Sequence, residues 1–227
     1  MDPRQSDRLS FLGTLAAGLA HEIQNPLGTM KLNLQLLAEE FEEKDRRAHR
    51  RISTCLDEAR RLEEVVQDFL RFARGCDLEK RPTSIQRLLT EVLDFFLPQA
   101  HARRIQIRTT WDEGLPEIEI DPDRTKQAIL NLVLNASQAM PEGGELLVRT
   151  RREGESVRID LTDTGEGMTP EVLAKCFNVY YSTKRSGTGL GLPTTRRIVE
   201  EHGGSIEIQS ESGHGTNVIL RLPCPAA

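Results

Sequence analysis

QAILNLVLNASQAM, residues 127–140, carries its polar side chains at helical spacing. Asn131 and Asn135 stand four apart and share one helix face, with Gln127 and Gln138 extending the stripe. Ile129, Leu132, Val133 and Ala136 supply an apolar side. Amides do no acid–base chemistry near neutrality, but their carbonyl oxygens ligate a hard cation beside phosphates. The other reading is a plain polar outer face. Asp121 and Pro122 offer a cap and a first turn. Around this helix RIQIRT (104–109), EIEI (117–120), ELLVRT (145–150), VRIDLT (157–162), SIEIQS (205–210) and NVILRL (217–222) alternate as strands do. Residues 84–100 and 191–204 read as two more helices, the second stopped by Gly203. Strands interleaved with helices predict an α/β sandwich, with helices covering one face of a mixed sheet.

Two glycine-rich segments follow. In LTDTGEGM (161–168), Asp163 suits an exocyclic amine, and Gly165 and Gly167 let backbone pass close to a flat ring. SGTGLGLP (186–193) sets Gly187, Thr188, Gly189, Leu190 and Gly191 immediately before a helix, where backbone N–H groups bind phosphate oxygens. It is no P-loop, because no G-K-[ST] follows. Residues 169–186 lie between these segments and have the length of a lid. Thr169 and Pro170 start a short helix there, Lys184 and Arg185 reach toward phosphates, and Phe177, Tyr180 and Tyr181 either anchor the lid or simply pack.

The first third of the chain has another period. From Leu9 to Phe41 apolar residues recur at steps of three and four, with one extra step of four near Pro26, a stutter in a heptad seam. A second seam runs through Ala48, Ile52, Cys55, Ala59, Leu62, Val66, Phe69 and Ala73. EEKDRR (42–47) forms the turn between two antiparallel helices. One hairpin buries two such stripes poorly, so pairing of two copies into a four-helix bundle is expected; the alternative is a monomeric hairpin covered by the rest of the chain. Gly75 and Pro82 end the second helix. The expected organisation is a multi-domain chain: an all-α helical hairpin over 1–74, a linker over 75–82, and the sandwich over 83–225.

GLAHEIQNPLG (18–28) lies on the first seam. His21 is two residues from each of the seam residues Leu19 and Ile23, so it points roughly 200° away from the seam. Glu22 is adjacent and Asn25 lies one turn on. Pro26 removes the N–H that would bond the Glu22 carbonyl, loosening the helix after the histidine. Gly18 and Gly28 leave room for a large partner, although each glycine costs a helix about 1 kcal/mol. A neutral imidazole is a good nucleophile, and Glu22 is the candidate base for its ring proton. Taken alone, His21 would be an ordinary surface histidine.

The 227 residues carry 29% charged and 4% aromatic side chains and a net charge of -5, which argues against nucleic acid as the main partner. Cys55, Cys76, Cys176 and Cys224 are scattered, as expected of reduced thiols in the cytoplasm. No apolar run reaches the roughly 20 residues of a membrane span.

Taken in order, these motifs resemble the catalytic core of two-component sensor histidine kinases, most like the nitrogen-regulation type. HEIQNPL (21–27) resembles the phosphoacceptor box, NLVLNA (131–136) the asparagine box, and DTGEGM (163–168) and GTGLGL (187–192) the glycine boxes. CFNVYYSTK (176–184) is a looser match to the phenylalanine box, departing at Cys176, Asn178 and Tyr180, and GHGTNVILRLP (213–223) resembles the closing strand. The resemblance implies a dimeric bundle followed by a Bergerat (GHKL) ATP-binding domain. It implies ATP as phosphoryl donor, His21 as acceptor, Glu22 as base, and Asn25 as a positioner of water for dephosphorylation of a response regulator receiver domain. It also implies Mg²⁺ on Asn135 with Asn131 close by, Asp163 on the adenine amine, Gly187, Gly189 and Gly191 on phosphates, and Thr216 near adenine. ATPases of the same fold place a glutamate at the position of Asn131. An amide there cannot take a proton from water, and losing a general base typically costs about 10²–10⁴-fold. A dimeric scaffold that merely binds nucleotide is the non-enzymatic alternative.

Overall fold

The structure, a computed structural model, describes residues 23, 27–37, 50–59, 62, 66, 78–184 and 189–224. Two compact units result: Met1–Cys76 with Lys184–Leu190, and Asp77–Thr183 with Gly191–Ala227.

In the first unit, residues 27–37 (α1) and 50–59 (α2) are helical. Their seams divide. Leu27, Ile52 and Ala59 are buried, whereas Ile23, Met30, Leu37 and Leu62 are each more than 40% exposed and Cys55 is also exposed. The expected turn at 42–47 and the stutter at Pro26 lie outside the described residues. Among the described residues no helix is long and apolar enough to cross a membrane.

The second unit is an α/β sandwich. Its elements run β1 (Arg81–Thr83), α3 (Ile85–Ala102), β2 (Ile105–Thr110), β3 (Ile118–Ile120), α4 (Pro122–Ala139), β4 (Gly144–Glu153), β5 (Ser156–Asp163), α5 (Pro170–Lys175), α6 (Gly191–Glu201), β6 (Ser205–Ser210) and β7 (Thr216–Pro223). The main sheet has the order β2-β4-β5-β7-β6. Only β2 pairs in parallel, with β4. Period-two alternation fixes the register. Val148, Leu161 and Val218 are cross-strand partners on the buried face. Helices α3, α4 and α6 pack on that face and enclose Leu89, Phe96, Ile129, Val133, Leu146 and Ile159, all under 2% exposed. Burying each such side chain is worth about 1.5–3 kcal/mol.

EIEI is a strand, but not part of the main sheet. It forms β3 and pairs antiparallel with β1 in a separate two-stranded ribbon. That ribbon takes in Arg81 and Pro82, from the stretch expected as linker. Pro82 cannot donate to a ladder, and a two-stranded edge tolerates it.

Side chains cap the helix starts, at Asp121 as the sequence suggests. Ser84 Oγ accepts the Arg87 N–H, and Thr169 Oγ1 accepts that of Val172. Asp121 Oδ1 accepts from Asp123 N and Arg124 N at 3.0 and 3.1 Å, while its Oδ2 accepts the Glu79 N–H at 3.1 Å. His202, 4% exposed, closes the same corner. Its Nε2 accepts the Asp121 N–H at 2.9 Å, which places the ring proton on Nδ1, 2.7 Å from the Ile198 carbonyl. The start of α4 is thereby bolted to the end of α6.

The other sheet face is charged. Arg158 grips Asp160 through Nε and Nη2, with the Nη2 contact at 2.7 Å. Arg221 bridges Glu153 and Glu207 at 2.7 and 3.1 Å. The bonds from Arg221 and, more weakly, Arg158 hold the Glu153 carboxyl below the usual range.

Candidate functional site

The site residues of the second unit come from the end of α4, the end of β5, the start of α6 and the β6–β7 turn. Asn131 and Asn135 are half-buried on one side of α4. Neither amide has a side-chain partner among the described residues, although the helix around them is packed. The N-terminus of α6 passes close to Asn135: a Cβ on Gly191 would lie 3.9 Å from Asn135 Nδ2. The Asn135 amide beside a helix start, with Asn131 one turn before it on α4, suits a cation–phosphate group. Among the described residues no cluster of His, Cys, Asp or Glu offers a competing metal site.

At the other end, Asp163 is buried and Oδ1 accepts the Gly165 N–H at 2.8 Å. Its cross-strand partner on β7 is Thr216, also buried, and the next partner on β6 is Ser210. The glycines here are needed for close approach. Gly167 has φ +64°, and a Cβ on it would lie 2.0 Å from the Glu211 carbonyl oxygen. Gly215, at φ +83°, runs equally close to the Asp163 carbonyl oxygen. A Cβ at Gly165 would lie 2.6 Å from the Ala139 carbonyl oxygen. The segment after β5 is thus pressed between the end of α4 and the β6–β7 turn, and at Gly165 and Gly167 only a residue without a side chain fits. Gly213 N bonds the Glu166 carbonyl at 2.7 Å, and Glu166 N bonds that of Ala139 at 3.0 Å, which closes the layer.

Of the segment expected to form a lid, residues 169–184 are among those described. Phe177 is half-buried under the Arg196 guanidinium, 5.2 Å from its ring centroid. Tyr181 is half-buried, whereas Tyr180 is 59% exposed, with a left-handed backbone at φ +64°. Tyr180 is therefore not anchored by burial among the described residues. Burial raises the Cys176 thiol pKa. Lys184 and Gly189 are half-buried, and Leu190 is buried. His21, Glu22, Asn25, Arg185, Gly187 and Thr188 lie outside the described residues. Sequence reading missed Ser210, whose hydroxyl joins three groups of this site; a lone serine closing a strand gives no periodic signal.

A buried carboxylate, a glycine-packed shelf and paired amides at a helix start define a nucleotide-binding α/β sandwich, carried in one chain with a helical region. Residues 120–226 match the family described as histidine kinase-, DNA gyrase B-, and HSP90-like ATPase, and residues 11–75 match the His Kinase A (phospho-acceptor) domain. The chain is 39% identical over 220 residues to the sensor histidine kinase ZraS of Escherichia coli K12, covering 97% of this chain and 47% of that protein. It is 34% identical over 221 residues to sporulation kinase E of Bacillus subtilis, covering 97% of this chain and 30% of that one. The chain therefore spans less than half the length of these relatives.

Among solved structures, full-length ShkA in complex with AMPPNP superposes with a TM-score of 0.78 at 28% identity, covering 94% of this chain and 47% of that one. Histidine kinase ThkA in complex with response regulator protein TrrA gives 0.71 at 27% identity, covering 97% and 64%. The chain thus carries both family regions, one phospho-acceptor and one histidine kinase-like ATPase, and is similar over nearly its whole length to sensor histidine kinases.

Proposed function

We propose that the chain transfers the γ-phosphoryl group of ATP to His21 and then to an aspartate of a response regulator receiver domain. The observation that carries this reading is the pair Asn131 and Asn135: the helix at the candidate phosphate end presents amides and no carboxylate. Nothing on that face would deprotonate water, so a bound nucleotide waits for another nucleophile. The match of residues 11–75 to a phospho-acceptor domain supports an acceptor in the same chain, and His21 lies within that span.

In the first step an imidazole nitrogen of His21 attacks the γ-phosphorus in line. A P–N bond forms, the bridging P–O bond breaks, ADP leaves, and the other ring nitrogen gives its proton to Glu22. The protein contributes position and charge stabilisation. Asp163 and Thr216 hold the base; Gly165 and Gly167 shape the shelf beside it. Gly187, Thr188, Gly189, Leu190, Gly191 and Lys184 hold the phosphates. Asn135, with Asn131 near, would hold Mg²⁺, which neutralises phosphate charge when bound. Asn25 positions water when the phosphorylated receiver is hydrolysed. The domains are a phosphotransfer hairpin over 1–74 and a catalytic domain over 83–225. The exposed seam residues Ile23, Met30, Leu37 and Leu62 support a homodimer through the bundle. Dependence on ATP, with free thiols at Cys55, Cys176 and Cys224, supports a cytoplasmic location.

Incubation with γ-labelled ATP and Mg²⁺ tests the reading. The full chain takes up label, and Asn135→Ala takes up none while remaining as dimeric as the parent chain. Full labelling of Asn135→Ala would contradict it.

A further inference from the structure

The start of α4 carries only half of a capping box. Asp121, at the N-cap, accepts the N–H groups of Asp123 and Arg124. In the reciprocal bond, a Glu or Gln three residues on accepts the N–H of the N-cap residue. That position is Arg124, and a guanidinium has no acceptor. His202 supplies the missing half from 81 residues away: its Nε2 accepts the Asp121 N–H at 2.9 Å. The ring is buried, and its other nitrogen is held 2.7 Å from the Ile198 carbonyl, in the last turn of α6. The acceptor that completes the cap of α4 is therefore aimed by α6.

His202 directly follows α6, and Asp121 directly precedes α4. At the opposite ends, Gly191 opens α6 close to Asn135. The two helices thus run antiparallel, and they pack against each other. Asn135 stands about 21 Å along α4 from Asp121, at a rise of about 1.5 Å per residue. We infer that His202 is a positioning residue for Asn135: by capping α4 from the end of α6, it fixes how far α4 slides along α6, and with it where the Asn135 amide stands against the first turn of α6. An acceptor on α4 itself would satisfy the same N–H but would leave that slide unset. This rests on the reading that Asn135 holds Mg²⁺ beside the phosphates, and it adds to that reading the residue that sets the place of the amide.

The test measures dissociation constants of AMPPNP for the full chain, with and without Mg²⁺, by titration calorimetry, alongside urea midpoints. Mg²⁺ tightens AMPPNP binding to the parent chain. His202→Ala lowers the urea midpoint and cuts the gain from Mg²⁺ about tenfold, with affinity in the absence of Mg²⁺ near that of the parent. His202→Leu, which keeps bulk without an acceptor, serves if the alanine variant does not fold. His202→Gln carries a neutral acceptor on α6 and restores both quantities. Adding Arg124→Gln to the alanine or leucine variant supplies the acceptor from α4 instead: the midpoint recovers while the gain from Mg²⁺ stays low. If Arg124→Gln restores that gain together with the midpoint, or if the alanine or leucine variant never loses it, His202 is a cap and nothing more, and the inference is overturned. Failure of the site reading looks different: the parent chain itself would gain nothing from Mg²⁺, and Asn135→Ala would leave both constants unchanged.

Discussion

The two units solve burial in opposite ways. The α/β unit encloses its own core: Leu89, Ile129, Val133 and Ile159 have no measurable solvent contact. The helical unit leaves Met30 54% and Leu62 46% exposed, although both lie on a heptad seam. The first behaves as a finished domain, whereas the described seam of the second is left uncovered, as half of the proposed dimer would be. The difference teaches where each chemical task is carried. A nucleotide site needs a fixed shelf, so it is built on packed elements whose glycines leave no slack. A phosphoacceptor must be reached from outside, so it belongs on a helix surface.

The comparison breaks most severely at the core. Leu146→Ala empties a fully buried position on β4 and costs the α/β unit about 3 kcal/mol, read as a lower urea midpoint. Loss under about 1 kcal/mol would mean that the core is looser than its burial. The next test addresses the exposed seam. Leu62→Glu places a charge where a second copy is proposed to pack, and sedimentation should move from dimer to monomer with the α/β unfolding transition unchanged. A sedimentation profile like that of the parent chain would assign the seam to something other than a second copy.

The smallest effect lies on the charged sheet face. Glu153 has its pKa lowered by its bond to Arg221. A carboxyl whose folded pKa lies below its unfolded value stabilises the fold fully above the ordinary carboxylate range, and loses that contribution as pH falls through the folded value. Glu153→Gln is therefore slightly less stable than the parent chain at pH 7, and the gap narrows as pH falls below the ordinary carboxylate range. A gap that widens in acid would mean that the Arg221 bond is not the cause.

Much of this was legible in the sequence because it repeats. Alternation in VRIDLT and NVILRL marked β5 and β7, and Asp121-Pro122 marked the start of α4. Asn131 and Asn135 were visible because four residues on a helix is a spatial relation. What repeats nothing stayed hidden. β1 is three residues long and contains a proline, so it read as linker. The bond from Asp121 N–H to His202 spans 81 positions and leaves no local trace. Ser210 looked like one more polar strand residue, and its contacts emerge only when the β6–β7 register places it against Thr216.

The central claim is that His21 receives the phosphoryl group from nucleotide held by the α/β unit. Mass spectrometry of the chain after incubation with ATP and Mg²⁺, kept alkaline to preserve phosphoramidate bonds, tests it most directly. The account predicts a single added phosphoryl group on the His21 imidazole, absent from His21→Gln. An unmodified His21, with ATP consumed to ADP and inorganic phosphate, would contradict it.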